Sequence, residues 1–188
     1  MAVKKTDLQA RKFGIRWQVF PRNKTASEHQ IGLIKLFEDL TQQISTPKNR
    51  LQSNEVLAVL RPSLIEYGYQ VEGKGEKVER PVLYGESGKK EKLYYVDGWD
   101  QSTGTVLEVE AGQAVENNRF AIDILKACSI QDAKNLVMAI PANYHPERLR
   151  KANKKPKKAF DSVVLTLDGL YSANRVQLPL DSILVIGY

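Results

Sequence analysis

The residues best suited to chemistry are carboxylates within one β-prone run, YYVDGWDQSTGTVLEVEAG, at positions 94–112. Side chains alternate along a strand, so Glu108 and Glu110 share one face while Leu107 and Val109 take the other. Two acids at neighbouring positions of one face repel each other unless the face is solvated or a cation lies between them. An acid from the strand before the turn can complete the group. A two-residue turn at Thr103-Gly104 sets Trp99 opposite Glu108 and Asp97 opposite Glu110; a three-residue turn brings Asp100 to that face instead. Asp97 is the favoured partner, because the apolar Tyr94-Tyr95-Val96 run ahead of it fixes its backbone. Carboxylates of this kind suit Mg²⁺ or Mn²⁺, which take oxygen ligands together with water and substrate phosphate. A metal so held activates water and neutralises charge on a phosphodiester. The same pattern also fits a solvent-facing hairpin with scattered acids.

Other chemistries find little support. Cys128 is alone and the histidines are His29 and His145, so neither a disulfide framework nor a Cys/His zinc site can be assembled. No motif surrounds either histidine that would make a Ser-His-Asp or Cys-His arrangement. Neither GxxxxGK[ST] nor GxGxxG occurs, and Gly73 and Gly75 lack the rest of a phosphate-binding fingerprint, so no nucleotide cofactor is expected. No apolar stretch approaches the roughly 20 residues that cross a bilayer, and the opening MAVKKTDLQARK lacks a secretory apolar segment. The expectation is a cytoplasmic protein with no membrane partner.

The chain has 188 residues, 42% of them hydrophobic, which suffices for a substantial core in one domain. Its net charge of +6 is unevenly spread. Residues 1–24 hold seven basic side chains and one acid, residues 148–158 hold seven basic side chains and none, and the remainder is net acidic. Arg148, Arg150, Lys151, Lys154, Lys155, Lys157 and Lys158 are therefore expected to contact phosphates, positioning a nucleic acid without reading its sequence. Lys4, Lys5, Arg11, Lys12, Arg16, Arg22 and Lys24 form a possible second arm. Trp17 and Trp99 read as packing residues, and Tyr144 and His145 follow a buried strand at what could be the mouth of a site.

Periodicity supplies the elements that must position these groups. Phe13, Ile15, Trp17 and Val19 alternate as in a half-buried strand that Pro21 interrupts. Ser27 is a good N-cap for a helix carrying Ile31, Ile34, Phe37, Leu40 and Ile44, which Pro47 stops. A second helix starts at Ser53 or Asn54, is kinked or divided at Pro62 and ends at Gly68. Extended pieces follow at Tyr69 to Glu72 and Arg80 to Tyr84. Next come the two runs Lys92 to Gln101 and Thr105 to Glu110, joined as a hairpin. A helix is predicted from about Asn118 to Ile130, a buried strand at Asn135 to Pro141 and a loop or mobile arm at Glu147 to Lys158. A helix at Ala159 to Ser172 and a buried strand at Asp181 to Tyr188 complete a mixed β-sheet flanked by helices, an α/β architecture. Residues 1–50 supply an arm, a strand and a helix ahead of a core at 53–188.

An acid, a turn, then an acid-x-acid on an apolar strand, followed by a helix and a buried strand, resembles the PD-(D/E)XK nuclease superfamily over roughly residues 53–141. The motif here is Asp97 with Glu108-Val109-Glu110. Glu110 stands where most members have lysine, as in BamHI-type restriction enzymes, and Val96 replaces the preceding proline. The segment EAGQAVENNRFAIDILKAC also looks like BglII-related proteins. The resemblance implies a restriction-endonuclease-like fold and a homodimer cutting double-stranded DNA with Mg²⁺ or Mn²⁺. It also implies Asp97 and Glu108 as metal ligands, with Glu110 aligning the attacking water or binding through water. Members often add a carboxylate from the helix before the sheet, here Glu55. Some place a substitute basic residue on the helix after the motif, here Lys126 or Arg119. A catalytically weak or inactive DNA-binding protein on the same fold is the alternative, since the motif lysine is missing.

Overall fold

The computed structural model describes residues 15–45, 49–111, 118–173 and 175–188. Phe13 and the basic residues Lys4, Lys5, Arg11 and Lys12 lie outside them. A six-stranded sheet forms the centre. Its strands are β1 (Arg16–Phe20), β2 (Gln70–Val71), β5 (Gly98–Asp100), β6 (Thr105–Val109), β7 (Asn135–Ile140) and β8 (Ser182–Gly187), in the spatial order β1-β8-β7-β6-β5-β2. β6, β7 and β8 are parallel, and the other pairings are antiparallel. Helix crossovers explain the parallel part, because a strand that returns to the same direction needs a long connection.

Two helices cover one face: α1 (Glu28–Ile44) and α2 (Ser53–Glu66). Ser27 accepts the Gln30 N–H and the Gln30 side chain accepts the Ser27 N–H, closing the first turn of α1. Ile34, Phe37, Leu57, Leu60 and Leu64 pack there against Leu107, Val137 and Leu184. The opposite face carries α3 (Arg119–Ser129) and α5 (Ala159–Ala173), with Phe120, Ile124, Val163 and Leu167 against Val106, Leu136, Met138 and Val185. Alternation along β6 therefore sends Val106 and Glu108 toward α3, so that an acid occupies a core-facing position. The mixed, helix-flanked sheet read from the sequence is present.

Several expectations are corrected. The β-prone run ahead of the turn is not one strand. It breaks at Asp97 into β4 (Lys90–Val96), which pairs with β3 (Val78–Tyr84) as a separate two-stranded ribbon, and β5, which joins the main sheet. The turn is neither of the two lengths considered. Asp100 pairs with Thr105, leaving the four residues Gln101 to Gly104 between the strands, because Asp100 closes the turn by accepting from Ser102 N–H, Ser102 Oγ and Thr103 Oγ1. Gly104 takes φ +62° there, and a Cβ on it would meet the Asp132 carbonyl at 2.6 Å.

Pro62 does not divide α2, which runs from Ser53 to Glu66 through it. Pro62 and Ala58, whose carbonyl loses its helical partner, are both exposed, so solvent can satisfy the freed group. Nor is the basic stretch a free arm. It contains α4 (Glu147–Lys151), supported by a Lys151–Glu147 ion pair at 2.8 Å, and the backbones of Lys157 and Tyr144 exchange hydrogen bonds of 2.7 and 2.8 Å. Arg16 and Arg22 pair with Asp161 and Asp168 of α5.

No helix among the described residues is long and apolar enough to cross a membrane.

Candidate active site

The register that fixes the turn also fixes the acids. Gly98 lies opposite Leu107, which brings the preceding Asp97 beside the Glu108-Val109 step of β6. Asp97 Oδ2 accepts the Val109 N–H at 2.7 Å, which anchors the side chain across the point where the chain leaves β4 for β5. Gly98 allows this approach, because a Cβ there would stand 3.2 Å from two Leu107 carbons. Asp100 belongs to a different group at the far end of β5, beside His29.

Glu108 is buried, with 6% of its surface exposed. Across from it on α3, Lys126 Nζ stands 2.7 Å from Glu108 Oε1 and 2.9 Å from Asp123 Oδ1. The sequence offered Lys126 as a substitute for the motif lysine; the fold brings it to the acid. Asp123, buried at 7%, was not anticipated. Its signal is its place one residue from Ile124 and three from both Phe120 and Lys126, an acid on the packed side of the helix.

Glu108 and Asp123 act directly on the Lys126 ammonium, whose charge also reaches the carboxyl groups of Asp97 and Glu110. Burial raises the Asp97 pKa to about 6, with Glu72 and Asp123 adding to the rise and the Val109 N–H and Lys126 opposing it. Glu110 rises to about 7, through burial and then Asp123, against the pull of Arg119. Glu108 is pushed well above the ordinary glutamate range by burial and by Asp97. Lys126 is also pushed upward: burial opposes its charge, but Glu108 and Asp123 outweigh burial. The two shifts conflict if Glu108 is simply neutral, since a neutral acid cannot hold up the lysine. The charged Lys126 is the firmer of the two, because its Nζ touches two carboxylates at once. The rise at Glu108 then expresses the excess of acid over base in a poorly solvated place.

Could this set hold a metal? Among the described residues no group of three or more His, Cys, Asp or Glu side chains is arranged to do so. The donor chemistry nonetheless fits a hard cation bound by two carboxylates, with water and substrate supplying the rest. Val109 N–H and the Lys126 ammonium already donate to Asp97 Oδ2 and Glu108 Oε1.

A cleft of about 740 Å³ opens past the C-terminal ends of β6 and β7. Its wall includes Glu110, Arg50, Arg119, Arg150, Tyr144 and His145, the last two being the pair that follow the buried strand. Ligands of open α/β sheets bind at such strand ends. The cleft reaches the acidic group through Glu110 alone, since Asp97 and Glu108 do not line it. The buried Nε of Arg150 has no hydrogen-bond partner there. Of the other basic residues, Arg148, Lys154, Lys155 and Lys158 are exposed, Lys151 is paired with Glu147, and Lys157 is half-buried.

Glu55 is not drawn into the acidic group by any contact among the described residues. It accepts the Gln52 N–H at 2.7 Å in a capping box at the start of α2 and is exposed. The nearby Ser53 hydroxyl instead ties α2 to the site, accepting the Ala111 N–H at 2.9 Å. No protein-family model matches the chain, and a search of curated proteins finds no match.

Proposed function

We propose that the chain is an endonuclease dependent on Mg²⁺ or Mn²⁺, hydrolysing phosphodiester bonds of double-stranded DNA on a restriction-endonuclease-like fold. The observation that carries this reading is Asp97 bonded to the Val109 N–H beside Glu108, with the Lys126 ammonium 2.7 Å from Glu108. Asp97 and Glu108 would hold the cation. When bound, it supplies charge neutralisation at the phosphate and acidifies a water.

The remaining steps belong to the protein. Lys126 donates to Glu108, fixing the carboxylate and supplying the positive charge that Glu110 does not. Glu110, held near pKa 7 in the wall of the cleft, accepts the proton of the attacking water. Arg50 and Arg150 in the cleft wall, with the exposed cations of 148–158, hold the DNA backbone.

A second reading, a DNA-binding protein with weak or no catalysis, draws on the Glu108–Lys126 ion pair, which occupies one oxygen of the principal acid. Cleavage of supercoiled plasmid with Mg²⁺ or Mn²⁺ by wild type and Glu108→Ala separates the two. Cleavage lost in the variant, with DNA binding kept, supports the nuclease. Equal cleavage by both removes the site assignment, and DNA binding without cleavage by wild type favours the second reading.

A further inference from the structure

The cleft past the ends of β6 and β7 is walled by more than a DNA backbone needs. Tyr144, His145, Pro146 and Pro156 give it flat and apolar surface, while Asn54 and Asn143 bring side-chain amides, each both donor and acceptor. The rings are held in place. Tyr144 exchanges backbone hydrogen bonds of 2.7 and 2.8 Å with Lys157 and packs against the core, and His145 Nε2 lies 2.8 Å from the Lys154 carbonyl oxygen. Arg50, Arg119 and Arg150 line the same space, and among the described residues the buried Nε of Arg150 has no hydrogen-bond partner. A buried donor left unmet is costly, and an acceptor on a ligand would satisfy it. Asp97 and Glu108 do not line the cleft. Its occupant is therefore not the phosphate those acids would act on but the part of the substrate next to it, beside Glu110.

We infer that the cleft receives one unpaired nucleotide of a DNA strand, so that the preferred substrate is a duplex interrupted by a bulged or mismatched base. Its volume of about 740 Å³ is that of a small-ligand site, roughly 300–1,000 Å³. A paired base stays in the stack and offers only its groove edges, so a fully paired duplex presents phosphates to the arginines but nothing to the rings and amides. An extruded nucleotide uses all three kinds of wall. Its base stacks on Tyr144 or His145, its base edge bonds to the amides, and its phosphates meet the arginines. Extrusion costs least where the base is already unpaired, and this sets the preference. The proposal rests on the nuclease reading for its partner, DNA, though not on catalysis.

Equilibrium binding in EDTA tests it, since no cleavage is then required. Fluorescence anisotropy on the full chain compares a fully paired duplex with the same duplex carrying a one-nucleotide bulge. Wild type should bind the bulged duplex at least about tenfold more tightly. Tyr144→Leu/His145→Ala should bring that ratio close to one. His145→Ala alone leaves the packing of Tyr144 in place; it should cut the ratio at least about threefold and decides the matter if the double variant unfolds. Equal binding of the two duplexes by wild type overturns the inference. So does a preference that survives in both variants, which would mean that the bend of the bulged duplex is read rather than its unpaired base. Either result leaves the nuclease reading to plasmid cleavage, whereas a wild type that binds neither duplex overturns both.

Discussion

Lys126 on α3 and Glu108 on β6 meet at 2.7 Å across the layer between helix and sheet, and Glu108 is 6% exposed. Removing one partner of a buried pair leaves the other charge uncompensated, which costs about 3–5 kcal/mol. Lys126→Met should therefore lower stability by about 3 kcal/mol in urea unfolding. Lys126→Met/Glu108→Gln should recover part of that loss. Additive effects would show that the two side chains do not interact in solution.

The pair also shows where sequence reasoning reaches its limit. The strand carrying Glu108 was legible, because TVLEVE alternates and NLVMAI and SILVIG are unbroken apolar runs of the kind a covered parallel strand needs. So were α1 and α5, from apolar spacing. The break at Asp97 was not: Tyr94 to Trp99 is β-prone throughout, and only the distant pairing of β4 with β3 pulls its first half out of the main sheet. The register escaped for a related reason. The turn length depends on hydrogen bonds from Ser102 and Thr103 to Asp100, and several turn lengths suit the same residues. Lys126 stood beside Arg119 as a candidate basic residue, and apolar spacing alone could not tell which of the two meets Glu108.

Asp97 and Glu110 give a pH signature. Their folded pKa values, about 6 and about 7, exceed the ordinary 3.8 and 4.5, so the folded state binds protons more tightly than the unfolded chain. Their contribution is fully present below about pH 4 and is lost as pH rises through 6 to 7. For Asp97 this amounts to on the order of 3 kcal/mol. A divalent cation, by favouring the ionised acids, should restore it. Thermal unfolding at pH 7.5 should accordingly show Tm rising with Mg²⁺ or Mn²⁺, less so in Asp97→Asn. A Tm indifferent to both ions would count against a metal at these acids.

His29 titrates in the opposite sense. Its ring lies between those of Tyr67 and Tyr69, with Nε2 3.1 Å from the Tyr69 hydroxyl and 3.4 Å from Asp100 Oδ2. Burial depresses its pKa below 6.5, with Asp100 opposing the drop. The neutral ring is the form the fold prefers, so its contribution is present above pH 6.5 and fades on acidification. Proton NMR in His145→Gln should show the remaining ring titrating below 6.5, and lower still with Asp100→Asn added. A titration above 6.5 would mean that Asp100 outweighs burial.

The exposed cations make a salt-dependence prediction. Lys154, Lys155 and Lys158 project from the segment that follows α4, while Lys157 is held by its backbone bridge to Tyr144. If the three touch phosphates, removing each charge flattens the plot of log binding constant against log salt by about 0.9. Fluorescence anisotropy of duplex DNA binding by Lys154→Ser/Lys155→Ser/Lys158→Ser should show a slope reduced by up to about 2.7. An unchanged slope would move the phosphate-binding role elsewhere, with the arginines of the cleft as the next candidates.

Glu55 offers the sharpest separation of a structural role from a chemical one. Its carboxylate accepts the Gln52 N–H at 2.7 Å, closing the capping box of α2, and its charge meets the positive end of the helix dipole. A glutamine can keep the hydrogen bond but not the charge, whereas alanine keeps neither. If capping is its whole task, Glu55→Gln should retain plasmid cleavage within about twofold and lose only a few tenths of a kcal/mol, and Glu55→Ala should cost about 1 kcal/mol. Ligation of a metal through Glu55 requires the opposite order of sensitivity: cleavage falling at least about a hundredfold in Glu55→Gln while Tm barely moves. Measuring cleavage and unfolding on the same two variants therefore assigns the residue, because the capping role shows in stability and the ligand role in rate.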